Sequence, residues 1–146
     1  MDQSNALDVA RPHIPAMSQE AVDKVRRLEG IARRFKQLPV EIQDLLHAGM
    51  YARTAIVPAG ALVTGAQLNQ GTILVVVGDG SIYVGAEEPL RVTGVTVLPA
   101  SAGRKSAFLA ETDLTIIAIA ACSAETVAEA EALLTDETDL LLRGVK

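Results

Sequence analysis

The sequence predicts an all-β chain: a jelly-roll β-sandwich of about eight short strands, preceded by helices and followed by one short helix. Three observations lead there. From Tyr51 to Ala121, short runs of Val, Ile and Leu recur at even spacing, punctuated by Gly and Pro. Before Tyr51 and after Cys122, apolar residues instead fall at helical spacing. Finally, apolar residues make up 49% of the chain but aromatics only 3%, so Val, Ile, Leu and Ala must build the core. A chain of 146 residues suffices for one domain with appendages.

Residues 1–20 are polar, with Pro12 and Pro15, and read as an extended N-terminal arm that is mobile on its own. Residues 21–49 read as a basic amphipathic helical segment. Its first helix runs from Gln19 to Leu38, with Val22, Val25, Leu28, Ile31, Phe35 and Leu38 on one face. Gly30 within it costs about 1 kcal/mol relative to Ala. Pro39 suits the first turn of a second, short helix with Ile42, Leu45 and Leu46 on its apolar side and Gly49 as its stop.

Residues 50–122 form the expected jelly roll. Tyr51 to Val57 alternates and ends at the Pro58-Ala59-Gly60 turn; Ala61 to Leu68 is interrupted by Gly65. Thr72 to Val77 is a continuous, mostly β-branched run and should be buried on both faces. Gly78-Asp79-Gly80 reads as a hairpin-type turn into Ser81 to Val84. Leu90 to Thr93 and Val95 to Leu98 are split by Gly94, and Lys105 to Ala110 and Leu114 to Ala121 complete the set. Residues 123–146 give a C-terminal helix and acidic tail: Thr126 and Glu129 form a capping-box pattern, and Leu140, Leu141 and Leu142 need cover on the barrel or on a neighbour.

The net charge of −5 argues against a nucleic-acid binder, and its distribution says more. Six bases and two acids lie between Val22 and Leu38; eight acids and no base lie between Ser106 and Leu142. The two ends are thus opposite in sign and suited to meet each other or separate partners. Phe35 is the sole aromatic in the basic helix, so a stacking platform for single strands is missing. The one cysteine, Cys122, excludes an intrachain disulfide and reads as a small buried residue at a strand end. With no signal-peptide pattern and no apolar run long enough for a bilayer, a soluble protein folding in a reducing cytoplasm is expected, with no membrane partner.

Residues for chemistry are scarce. Both histidines, His13 and His47, precede the barrel, and neither is expected to hold a metal. No Gly-x-Ser-x-Gly elbow occurs, and Ser101 and Ser106 have no histidine near them in sequence. Glu111 and Asp113 read as a solvated turn with Asp113 capping backbone amides. Gly103-Arg104-Lys105 lacks the strand–loop–helix setting of a nucleotide site, which favours an interface-facing or solvated basic pair. No catalytic residue, metal or cofactor is therefore expected.

The segment Gly94–Thr115, with its Pro99-Ala-Ser-Ala-Gly103 corner, resembles the second half of a cupin-type jelly roll. In a metal-dependent cupin that resemblance implies a histidine just after the corner; Ser106 stands there instead. Gln67 and Asn69 stand roughly where a first His-x-His pair would fall, and amides are poor ligands for such metals. More widely, Gly49 to Leu142 resembles the small cupin-like proteins of tailed phages. Tyr51-Ala-Arg53, Pro58-Ala-Gly60 with Thr64-Gly65, Gly78-Asp79-Gly80, Leu98 to Lys105, Glu111 to Thr115, Thr126 to Glu131 and Asp136-Glu137 carry this resemblance.

The resemblance implies a virion structural protein: a capsid cement or decoration protein of a short-tailed phage. It would be made in the host cytoplasm, carried on the capsid surface, bound to the major capsid protein and self-associated as a homodimer. The candidate interface residues are Lys24, Arg26, Arg27, Ile31, Arg33, Arg34, Phe35, Arg104, Lys105, Leu140 and Leu141. Removal of residues 1–38 is expected to abolish shell binding and leave the barrel folded. The alternatives are a metal-free small-molecule-binding or degenerate enzymatic cupin, and a phage regulatory or nucleic-acid-binding protein.

Overall fold

The structure, a computed structural model, describes residues 13–85 and 88–141. In chain order its elements are α1 (Gln19–Ala32), β1 (Glu41–His47), β2 (Met50–Val57), β3 (Leu62–Thr64), β4 (Thr72–Val77), β5 (Gly80–Tyr83), β6 (Leu90–Val92), β7 (Val95–Ala100), β8 (Ala107–Ala110), β9 (Leu114–Ala121), α2 (Val127–Leu134) and a 3-10 turn at Thr138–Leu140. Two antiparallel sheets, ordered β1-β2-β9-β4-β7 and β3-β8-β5-β6, make a β-sandwich. Val57, Leu74, Val76, Leu98 and Leu114 of the first sheet meet Val63, Ile82 and Phe108 of the second in one core. Each such aliphatic side chain contributes about 1.5–3 kcal/mol on full burial. Tyr51, Ala120, Cys122, Ala130 and Leu134 form a smaller cluster beneath α2. Among the described residues, no helix is long and apolar enough to cross a membrane.

The ninth strand is β1, where the sequence suggests a helix. Ile42 and Leu46 are half-buried at period two, and Asp44, between them on the same face, is held by Tyr51 and Arg53. The register runs from Glu41↔Ile56 to His47↔Met50, closed by Ala48-Gly49. Both turn residues have positive φ, 51° and 73°, as the right-handed strand twist demands of a two-residue hairpin turn. Gly49 therefore turns a hairpin rather than stopping a helix, and His47 stands at a strand end.

Gly78-Asp79-Gly80 is not a hairpin either. β4 and β5 belong to different sheets, so this segment is a corner between layers. The Asp79 carbonyl accepts from the Glu111 and Thr112 amides at 3.0 and 3.1 Å, and its carboxylate accepts from the Gly94 amide at 3.2 Å. At Gly78, with φ of 122°, an added Cβ would meet the Asp113 carbonyl oxygen at 2.4 Å.

At the N-terminal side, α1 starts at Ser18, whose hydroxyl accepts from the Ala21 amide at 3.1 Å. It ends at Ala32, six residues before the expected Leu38. Gln37 Nε2 donates to the carbonyls of Ala32 and Phe35, closing the chain after the last turn. Only the first half of the apolar stripe is used: Val22 and Val25 are buried, whereas Ile31, Phe35 and Leu38 are exposed. Residues 13–18 of the expected mobile arm are extended but docked. Ile14 is wholly buried, bridges in parallel to Ala100 and exchanges backbone hydrogen bonds with Pro99 and Ser101. Removing residues 1–38 therefore removes core material, and the expectation of an intact barrel after that deletion does not stand. Gln19 and Glu20 of the expected arm open α1, and residues 1–12 lie outside the described residues.

β4 departs from the expected two-sided burial. Thr72, Leu74 and Val76 face the core, while Ile73 and Val77 are exposed on the outer face.

Candidate functional site

A groove of about 720 Å³ runs between the end of α1, the segment after it, β3 and the tail. Ile31, Arg33, Phe35, Leu140 and Leu141, all candidate interface residues, line this one groove with Leu62 and Leu38. Phe35 is 70% exposed and Ile31 53% exposed. Lys36 joins Arg33 at the groove, while Lys24, Arg27 and Arg34 are exposed nearby in sequence. None of these five cations makes an ion pair among the described residues. The result is a largely apolar trough whose lining also carries the cations Arg33 and Lys36 and the carboxylates Glu29 and Asp139. Leu140 and Leu141 are half-buried, and Leu142 lies outside the described residues.

Three candidate interface residues make contacts within the molecule: Arg104 and Lys105 are buried, and Arg26 is paired while still exposed. Lys105 is 0% exposed. Its ammonium donates to the Gly65 carbonyl and to Glu137 Oε2, each at 2.9 Å, and lies 3.3 Å from Glu29 Oε2. Glu29 also accepts from the Thr64 hydroxyl at 3.0 Å. Arg26 Nη2 reaches Glu137 Oε1 at 2.8 Å and Gln67 Oε1 at 2.9 Å. Burial pushes the Glu137 carboxyl up, but the bonds from Arg26 and Lys105 outweigh it, and the net shift is downward. The basic helix and the acidic tail thus meet within one subunit, locked by a lysine from the β7–β8 corner. The interface reading of Lys105 is corrected on this ground: a desolvated cation with two carboxylate partners is not available to another molecule. Arg26, though paired with Glu137, stays exposed.

Arg104 is also buried, 4% exposed, and points elsewhere. Residues 104 to 106 are extended, so alternate side chains face opposite ways. Lys105 turns to the carboxylates, while Arg104 and Ser106 turn into the barrel, where they line a cavity of about 120 Å³. Ala55, Leu74, Phe108, Ile116, Ala118 and Leu134 supply most of its wall. Arg104 donates to Thr72 Oγ1 at 2.8 Å and to the Ser101 carbonyl at 3.3 Å. Burial pulls its pKa down to about 10. The Ser106 hydroxyl has no hydrogen-bond partner among the described residues. Arg53 lines the same cavity but is paired with Asp44 at 3.1 Å and bonded to Tyr51.

A metal does not fit here. The cavity lining contains no His, Cys, Asp or Glu, and the described residues hold no group of three such side chains suited to a metal. Gln67 and Asn69 are employed elsewhere: Gln67 accepts from Arg26, and Asn69 donates to Asp136 at 3.4 Å. Of the remaining polar residues, Asp113 caps the Ala59 amide at 2.8 Å, as expected of a turn, and Glu111 pairs with Arg91 at the surface. Sequence reasoning missed Glu29 and Glu137 as the partners of Lys105. The opposite charge of the two ends was the available signal.

No protein family matches the chain, and no curated protein does. Solved structures do resemble it. Salicylate 1,2-dioxygenase from Pseudoaminobacter salicylatoxidans is 14% identical with a TM-score of 0.50, over 79% of this chain and 33% of that one. Ectoine synthase from P. lautus is 16% identical with a TM-score of 0.48, over 58% and 65% of the respective chains. KdgF from Halomonas sp. is 18% identical with a TM-score of 0.45, over 60% and 86%. The likeness covers a third of the dioxygenase and under two thirds of the ectoine synthase, and at such identity it is a likeness of fold. The chain has a cupin-like fold.

Proposed function

We propose that this protein is a structural docking protein rather than an enzyme: a cement protein that binds the major capsid protein on the outside of a short-tailed phage shell. The observation that carries this reading is the groove beside α1. Its apolar side chains, with Arg33 and Lys36 in the lining and Lys24, Arg27 and Arg34 exposed nearby in sequence, all without an ion pair among the described residues, suit an acidic segment of a partner protein that also carries apolar side chains and lies clear of Asp139. The absence of metal-ligating residues in the barrel cavity supports the non-enzymatic half of the reading.

The second copy in the proposed homodimer is assigned to the outer face of the larger sheet. On β2, β9, β4 and β7 the outward positions, from Met50 to Ile56, Thr115 to Ala121, Ile73 to Val77 and Val95 to Pro99, carry no charged side chain. In a chain that is 21% charged, such a face is suited to pack against its own copy.

Co-sedimentation with undecorated shells, assembled from the major capsid protein of the same genome, tests the docking reading. Stoichiometric binding is expected, with occupancy falling at least about tenfold in an Arg33→Glu, Arg34→Glu, Phe35→Asp variant, since hot-spot side chains are worth 1.4 kcal/mol or more each. No binding, or full occupancy by a folded variant, overturns it. Analytical ultracentrifugation tests the dimer: Val97→Lys should give a monomer, and an unchanged sedimentation coefficient rejects the sheet face.

A further inference from the structure

The barrel cavity makes three demands that nothing in the described chain meets. The Arg104 guanidinium is desolvated, and among the described residues no carboxylate lies within ion-pair distance of it. Two acceptors, Thr72 and Ser101, engage it, whereas a guanidinium carries five N–H donors. The Ser106 hydroxyl, 6% exposed, faces the same space with no partner. The remaining wall is almost wholly aliphatic, with Phe108 its one aromatic ring.

We propose that this cavity binds a small monocarboxylate with an apolar body, the carboxylate held by Arg104 and Ser106. A carboxylate is acceptor-only and has two oxygens, so one can take the guanidinium N–H groups and the other the hydroxyl. A single negative charge matches the single uncommitted cation, because Arg53 is already engaged by Asp44. A phosphate dianion would leave charge uncompensated in an apolar chamber. The size limits the body to a short chain or at most a single ring: this cavity, about 120 Å³, is somewhat smaller than the cavity of about 150 Å³ that takes benzene. Leu134 of α2 and Leu141 of the tail form part of the wall, so occupancy would also brace the C-terminal segment. Shell docking uses the groove, and Leu141 is the one residue that lines both groove and cavity.

Benzoate and hexanoate, each against its own amide, are the probes. Isothermal titration of the full chain should show each carboxylate binding at least about tenfold more tightly than its amide, because hydrogen bonds to a charged group are roughly twice as strong as neutral ones. Ser106→Ala should weaken benzoate about fivefold and leave the fold intact, the expected loss for one hydrogen bond. Arg104→Gln should remove the preference for carboxylate over amide. Amide shifts in NMR spectra should centre on Phe108, Ile116 and Ala118. Equal binding of acid and amide, no binding of either acid at about 10 mM, an unaffected Ser106→Ala variant, or shifts confined to Phe35 and Leu140 each overturn the proposal. Should Arg104→Gln fail to fold, the acid–amide pairs and Ser106→Ala still decide it.

Discussion

Lys105, with no solvent exposure, donates to Glu137 Oε2 at 2.9 Å, and this one bond ties the β7–β8 corner to the C-terminal tail. Glu29 on α1 lies 3.3 Å from the same ammonium, and Arg26 holds the other oxygen of Glu137. Lys105 is therefore shared by both terminal elements, alongside the Thr64–Glu29 and Asn69–Asp136 hydrogen bonds.

Replacing Lys105 by Met should destabilise the protein by about 3 kcal/mol, the low end of the range for breaking a buried ion pair. The low end applies because both carboxylates keep a solvent-exposed edge and Arg26 still serves Glu137. Urea unfolding measures it. A loss under half that size would mean that the two carboxylates are readily rehydrated.

Acid should loosen the tail. Glu137 is held below its ordinary carboxyl value of 4.5, so its contribution is complete above pH 4.5 and is lost as pH falls through the lowered value. Glu111 is lowered as well, chiefly by its hydrogen bond from Arg91, but that pair is at the surface and should respond to salt. Thermal melts between pH 7 and about 3 in high salt should isolate the Glu137 component. A Glu137→Gln variant should be less stable at neutral pH and show a flatter acid limb; an identical limb would remove the assignment.

Ala48 is the one non-glycine residue with positive φ among the described residues, at the tip of the β1–β2 hairpin. Ala48→Gly should relieve that strain and raise stability by about 1 kcal/mol. A fall in the urea midpoint would instead show that chain entropy in the unfolded state outweighs the strain.

The sequence alone determined much of the sandwich. β9 is found where the apolar run from Leu114 to Ala121 predicts it, and α2 begins at the Thr126 cap, because both patterns are local: a β-branched run, and a hydroxyl three residues before a glutamate. The stretch from Glu41 to His47 reads as a helix in the sequence, because Ile42, Leu45 and Leu46 suit a helix face, and the structure makes it a strand, on which Ile42 and Leu46 share a face. Pairing with β2 decided it, and only the folded sheet supplies that partner. The candidate site divides the same way. The exposed bases and apolar residues of the groove were legible, because chain ends rich in one charge seldom bury all of it. The fates of Arg104 and Lys105 were not. Adjacent in sequence and alike in charge, they are sent to opposite sides by an extended backbone, one to two carboxylates from distant segments and the other into a cavity without one. Which cation is neutralised and which is left to bind depends on residues far away in the chain, and tertiary structure alone brings those together.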